Sequence, residues 1–371
     1  MDLSADQPVP SESVPFQLQH ERLQFNGKAG EYFRIWIVNL SLTVLTLGIY
    51  SAWAKVRKNR YIYGNLKLAG SYFDYTAKPL VILRGRLIAL ALLVVYWVAE
   101  IYIPLISAGL LLVLSVVTPW LIVRSRMFNM RYTTYRNIRF SFNPVYGEAF
   151  QVVFLYGLLS VITLGLAVPY AHFKRNQMIV DNTKFGNLNF KLDELGKKFY
   201  IAYMLGALLA ICVLGPLGFV LFKLTSVATQ GDPEAAGAIL LASASFLKVA
   251  PVLIPAFLYF VVLQFVKAYI LRVTTNGTSI GGGAEANEVH KLGCDWSLAR
   301  MLGIYLTNII AIALSFGLLV PWAQMRILRY QLNHTWVDVS GSLDDVLAGQ
   351  LSEVSSIGEE IGDVFDVDIG L

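Results

Sequence analysis

One phrase written three times constrains this chain more than any other feature. It reads TLGIYSAWAKVR around Gly48, TLGLAVPYAHFKR around Gly165 and SFGLLVPWAQMR around Gly317. In each copy an apolar run enters the glycine. An aromatic residue follows (Trp53, Tyr170, Trp322), then an alanine (Ala54, Ala171, Ala323), and then a basic residue (Arg57, Lys174, Arg326). Repetition at long intervals marks one structural unit used several times. In an apolar chain it points to a membrane protein built from repeats.

The chain is apolar enough for that reading. Of its 371 residues 56% are hydrophobic and 15% charged, with mean hydropathy +0.57, whereas a soluble domain carries about 25% charged residues. The start, MDLSADQPVPSESVP, has neither a basic n-region nor an apolar h-region, so residues 1–22 read as a disordered cytoplasmic N-terminus rather than a cleaved leader. Two cysteines, Cys212 in an apolar run and Cys294 in a polar loop, support neither a disulfide framework nor a metal site.

Seven apolar stretches stand out: Phe33–Trp53, Leu87–Ala99, Ile103–Val123, Phe150–Tyr170, Tyr200–Phe222, Ala250–Val266 and Met301–Trp322. If all seven crossed a bilayer, Lys and Arg would divide almost evenly between its two sides, which is no positive-inside signal. If the three repeated stretches instead enter and leave on one face, 28 of the 30 basic residues fall on that face. Only Lys223 and Lys248 remain, flanking the outer loop TSVATQGDPEAAG. Local chemistry agrees with a break. Gly48, Gly165 and Gly317 suit a left-handed C′ position, and Pro169 and Pro321 suit the start of a following helix. Halves of about 14 residues are about 21 Å long, too short to cross. The expectation is therefore a re-entrant or interfacial hairpin; a kinked spanning helix is the alternative.

The predicted fold class is a mostly α, polytopic membrane protein of repeated helical-hairpin units with short cytoplasmic β segments. The first unit covers 23–140 (hairpin 33–65, spans 87–99 and 103–123) and the second 141–281 (hairpin 150–180, spans 200–222 and 250–266). A truncated third covers 282–340 (hairpin 301–330), and an acidic amphipathic tail covers 341–371. Alternating segments such as IRFSF at Ile138 and TKFGNLNF at Thr183 read as strands of a small sheet under the membrane. Glu31 and Glu148 sit near hairpin starts, where they favour the helix dipole.

Polar residues inside the repeated stretches are the candidate site. Asn39 and Asn308 lie nine residues before their glycines with Tyr156 in the same place of the second copy, and Thr46, Thr163 and Ser315 lie two before. Such groups need partners in hydrocarbon, so they either line a polar pocket or hold the bundle together. Basic exits form a second candidate: Arg57, Arg60, Arg124, Lys174, Arg175, Arg326 and Arg329 either anchor topology or bind anionic lipid or a partner. No zinc-ligand spacing, HExxH pair or Walker frame occurs, so no catalytic residue, metal or cofactor is expected.

These phrases together resemble the YjgN family of bacterial inner-membrane proteins of unknown function. The resemblance rests on FNGKAGEYF, LTLGIYSAWAKVRKNRY, FKRNQMIVDNTKFGNLNF, VPWAQMRILRY and the tail ending DVDIGL. It implies the inner membrane and no activity. The expected function is a non-enzymatic membrane protein, channel- or transporter-like or binding lipid or solute. The alternative is a scaffold or regulator of another membrane protein, such as a membrane protease. Lipids and a membrane-protein partner are expected, nucleic acid is not.

Overall fold

A computed structural model describes residues 18–230, 259–281 and 290–340. Residues 1–17, most of the outer loop after Gln230, the start of the sixth apolar stretch and the acidic tail lie outside the described residues.

Two short strands, β1 (Leu18–Arg22) and β2 (Gln24–Phe25), come first. Five times thereafter the chain runs helix, helix, strand. The first unit is α1 (Ala29–Leu45), α2 (Ser51–Gly64), β3 (Leu66–Leu68) and β4 (Ser71–Tyr75). The second is α3 (Pro79–Tyr102), α4 (Pro104–Arg131), β5 (Thr133–Tyr135) and β6 (Ile138–Phe142). In the third, α5 (Tyr146–Phe150) passes through a π-helical turn (Gln151–Leu155) into α6 (Tyr156–Ile162). Then come α7 (Val168–Asp181), β7 (Thr183–Phe185) and β8 (Leu188–Leu192). The fourth has α8 (Gly196–Gln230), α9 (259–276), β9 (Thr278–Gly281) and β10 (His290–Cys294). The fifth has α10 (Leu298–Leu314), α11 (Val320–Asn333) and β11 (Thr335–Ser340). Its second strand is supplied by β1, which pairs antiparallel with β11.

All eleven strands join one antiparallel sheet in the order β1-β11-β10-β9-β8-β7-β6-β5-β4-β3-β2. Its two end strands are separated in sequence by Leu23 alone, whose N–H donates to the Thr335 carbonyl at 3.0 Å. The sheet is therefore a nearly closed ring. One backbone bond recurs at every seam, from the residue after a unit's second strand to the residue before the next unit's first strand. These bonds are Asn26 to Asn65, Thr76 to Tyr132, Asn143 to Asn182 and Asp193 to Gly277, each 2.9 Å, and Asp295 to His334, 3.1 Å. The last residue of each second strand (Phe25, Tyr75, Phe142, Leu192, Cys294) is buried. So is the residue seven further on (Tyr32, Ile82, Ala149, Phe199, Met301). The chain thus packs five equivalent seams.

Strand alternation turns one residue of each first strand inward: Leu68, Tyr135, Phe185, Ile280 and Val337, all buried in the ring's core. Four of the helix-to-strand junctions use the same device. Thr133, Thr183, Thr278 and Thr335 donate their hydroxyls to the carbonyl four residues back, at 2.9, 2.7, 2.7 and 2.9 Å. A β-branched residue thereby ends the helix and begins the strand.

This architecture corrects the expected fold class. The structure is not a polytopic helical bundle with a few short β segments beneath it. Its strands form one eleven-stranded ring that connects all five helix pairs, and among the described residues two helices, α3 and α4, are long and apolar enough to cross a membrane. The ring escapes a sequence reading because its strands are two to six residues long and each pairs outside its own hairpin. Leu18–Arg22, read as part of a disordered N-terminus, is strand β1 because β11 offers it a full register from Leu18↔Ser340 to Arg22↔Trp336.

Candidate functional site

The three repeated glycines sit at the tips of the short helix pairs α1/α2, α6/α7 and α10/α11. Each tip closes with a six-residue backbone bond: Gly48 N to Thr43 O (2.7 Å), Gly165 N to Ser160 O (2.7 Å) and Gly317 N to Ile312 O (2.8 Å). This is the Schellman pattern, and it places each glycine at C″, one residue beyond the expected C′. The C′ residue is apolar: Leu47, Leu164 and Phe316 have φ of 50°, 51° and 51°, followed by glycines at 94°, 92° and 90°. A left-handed L-residue costs about 1–2 kcal/mol. These three side chains are also 95%, 95% and 98% exposed. Strained backbone and exposed hydrocarbon coincide at all three tips.

The hydroxyls two residues before the glycines are spent within these turns. Thr46 Oγ1 donates to Leu42 O (2.7 Å) and accepts from Tyr50 N (2.9 Å). Thr163 Oγ1 donates to Leu159 O (2.8 Å) and accepts from Ala167 N (3.0 Å). Ser315 Oγ donates to Ile312 O (3.2 Å) and accepts from Leu319 N (3.0 Å). Pro169 and Pro321 are buried in the first turns of α7 and α11.

Asn39, Tyr156 and Asn308 each face the partner helix of their own pair. Asn308 Nδ2 donates to Ala323 O (3.3 Å), and its Oδ1 accepts from Arg326 Nη1 (3.2 Å). Tyr156 meets Tyr170 edge-on, with ring centroids 5.4 Å apart. Asn39 is buried, and its Oδ1 has no hydrogen-bond partner.

One turn after the repeat aromatics, cations lie over rings. Lys174 stands 5.7 Å from the Tyr170 centroid and Arg326 5.2 Å from that of Trp322. Arg124 does the same over Trp120 at 5.5 Å, in a helix without the glycine break. Trp53 instead stacks on Tyr50 at 6.1 Å, leaving Arg57 exposed. Arg60, Arg175 and Arg329 are exposed as well, and Arg329 Nη2 donates to Gly27 O (2.7 Å). The ion pairs found among the described residues are His20–Asp338, Arg22–Asp295 and Lys28–Glu31, and none uses these exit cations.

Each short helix pair carries a cleft that combines basic side chains with apolar walls, and of the ring-stacked cations Arg326 lines one of them. On α1/α2 a cleft of about 310 Å³ has Lys55 and Lys58 beside Tyr32, Trp36 and Asn39. On α6/α7 one of about 510 Å³ has His172 and Arg175 beside Val152, Val168 and Tyr203. On α10/α11 one of about 580 Å³ has Arg300, Arg326 and Arg329 beside Ile304 and Trp322. No carboxylate lines any of the three, whereas Lys174 lies in a second α6/α7 cleft of about 320 Å³ together with Glu148 and Asp181. Burial, and then the charge of Arg175, hold the His172 imidazole below its usual range, and its Nδ1 lies 3.0 Å from the Tyr203 hydroxyl. Burial, and then Arg86, push the Lys55 ammonium down. Sequence reasoning singled out the exit cations, and His172 as an interfacial side chain beside one of them, but not Lys55 or Arg300; folding of the helices against each other brings all three into clefts. Among the described residues no group of three or more His, Cys, Asp or Glu could hold a metal ion.

Comparison with known proteins gives a family. A family model described as "Bacterial protein of unknown function (DUF898)" matches residues 20–364. Inner membrane protein YjgN of Salmonella typhimurium is 25% identical over 372 residues, covering 87% of this chain and 89% of that protein. Inner membrane protein YjgN of Escherichia coli K12 is 31% identical over 147 residues, 38% of this chain and 36% of that protein. No solved structure matches.

Proposed function

The chain belongs to this family of bacterial inner-membrane proteins of unknown function, and from that premise we propose that it binds anionic phospholipid through its three short helix pairs. The tips enter one leaflet from the face where the strand ring lies, and the cations lining the three carboxylate-free clefts meet headgroup phosphates. One observation carries the reading: every short pair joins a strained, almost fully exposed apolar tip to a cation-bearing cleft without a carboxylate. Left-handed leucine and phenylalanine exposed to water gain nothing for their strain, whereas hydrocarbon offsets it. Polybasic surfaces near a bilayer gain about 1 kcal/mol per cation from anionic lipid. Asn39, Tyr156 and Asn308 are divided among three separate helix pairs, which favours lipid contact over a shared permeation path.

Lipid retention tests this. Mass spectrometry of the detergent-purified protein should find phosphatidylglycerol or cardiolipin in excess over phosphatidylethanolamine. The combined change Arg175→Gln, Arg326→Gln and Arg329→Gln should reduce that excess at least fivefold. Equal retention of zwitterionic and anionic lipid would refute the reading. The one-face arrangement has its own test. Cysteines placed at Arg60, Lys184 and Lys291 should label from the same side of the membrane, and labelling of position 184 from the opposite side overturns it.

A further inference from the structure

The strand ring surrounds a partly open space of about 190 Å³ lined by apolar and aromatic side chains, with Tyr135 and His290 the polar residues among them. We propose that this ring interior is a binding site for an uncharged hydrocarbon group, of the size of a small aromatic ring or an acyl-chain end. It is separate from the cationic clefts and does not rest on them.

The polar atoms of the wall are already spent. Tyr135 turns its hydroxyl to the Leu68 carbonyl at 2.8 Å, and His290 Nδ1 accepts the Ser340 N–H at 3.0 Å. A water molecule needs two to four polar partners, which this wall does not offer, so an apolar group displaces water from it at little cost; an engineered apolar cavity of about 150 Å³ takes up benzene. Native interiors rarely leave voids of this size, because unfilled space forfeits dispersion contacts. Here the wall is not free to collapse. It is made of strands held by ladder bonds on both sides, and its aromatic members brace one another: Phe73 on Tyr135 at 4.6 Å and Phe140 on Phe185 at 4.8 Å between centroids. The fourth and fifth units offer smaller groups, Ile280, Leu292 and Val337, opposite those rings in the unit order. An aromatic wall facing an aliphatic one, with no hydrogen-bonding group between them, selects by shape and rejects any headgroup.

The test is a titration of hexafluorobenzene into the full-length protein in detergent micelles, followed by fluorine NMR with empty micelles as the blank. Wild-type protein should give a saturable shifted signal. Ile280→Phe and Val337→Phe, which fill the space from two different strands, should each weaken it at least tenfold while leaving the thermal midpoint unchanged or raised. No saturable signal from wild-type protein overturns the proposal whatever the variants do, and so does affinity unmoved by both changes in folded protein. Organic extraction of the purified protein then separates the sources: a chain esterified to glycerophosphate identifies a membrane lipid, and a free hydrocarbon identifies a solute.

Discussion

The first and second units stand on the same base and differ in what they raise from it. Both contribute a strand pair to the ring and close their seams with the same 2.9 Å backbone bond. The first raises helices of 17 and 14 residues, about 25 and 21 Å long. The second raises helices of 24 and 28 residues, about 36 and 42 Å. The short pair turns through left-handed Leu47 and Gly48, and its second helix is rich in Lys and Arg. The long pair turns at Ile103, whose φ is −144°, with Pro104 opening α4. Its apolar surface is largely exposed on all sides along α3. A helix apolar all round requires a nonaqueous surrounding along its whole length, whereas a short pair with an apolar tip and a basic second helix suits an interface. One base therefore carries helix pairs of two lengths and two surface chemistries.

The largest effect should come from charge in the long pair. Leu93 is 62% exposed in the middle of α3, and Leu93→Arg should disfavour insertion by about 2.5–3.5 kcal/mol, measured as the fraction resisting alkaline extraction. Leu164→Arg at a short tip should cost about 1 kcal/mol or less, since arginine near an interface reaches headgroups with its side chain extended. Equal losses would erase the distinction between the pairs. A smaller effect tests the strain at the tips. Phe316→Gly should stabilise the detergent-solubilised protein by about 1 kcal/mol through relief of the left-handed cost, yet weaken its retention on vesicles. Gly317→Ala should destabilise by about 1 kcal/mol. Denaturant melts that do not move in opposite directions would sink the claim of stored strain.

The smallest effect belongs to the base that the pairs share. Burial pushes the Cys294 thiol up to about 11 from 9.0. The unfolded chain therefore loses that proton first, and stability falls as pH rises from about 9 through 11. Thermal midpoints should show this slope in wild-type protein and lose it in Cys294→Ala. In detergent at neutral pH, exposed Cys212 should accept a maleimide while Cys294 does not.

What the sequence discloses divides along the same line. The tips are legible because glycine, proline and a fixed aromatic–basic spacing are local signals whose meaning needs no partner. Even there the glycine's place shifts by one, because an exposed leucine accepts the left-handed conformation that sequence rules reserve for glycine. The ring is illegible for the opposite reason. Strand β2 has two residues, and β1 finds its partner β11 more than three hundred residues away, so no window of sequence contains both. Lys55 and Arg300 entered no expectation because their clefts exist only once the two helices of a pair fold against each other, and a linear pattern does not show which side chains then face the gap.

Closure of the ring by β1 and β11 sets an order of events in biosynthesis. The segment Leu18–Arg22 leaves the ribosome more than three hundred residues before its register partners Trp336–Ser340, which are made after all five helix pairs. At about 5–20 residues per second, some 320 residues of delay amount to tens of seconds in which the first strand is without its mate. The helix pairs are therefore all synthesised with the circle still open, and its final pairing joins the first strand to a set of units that already exists.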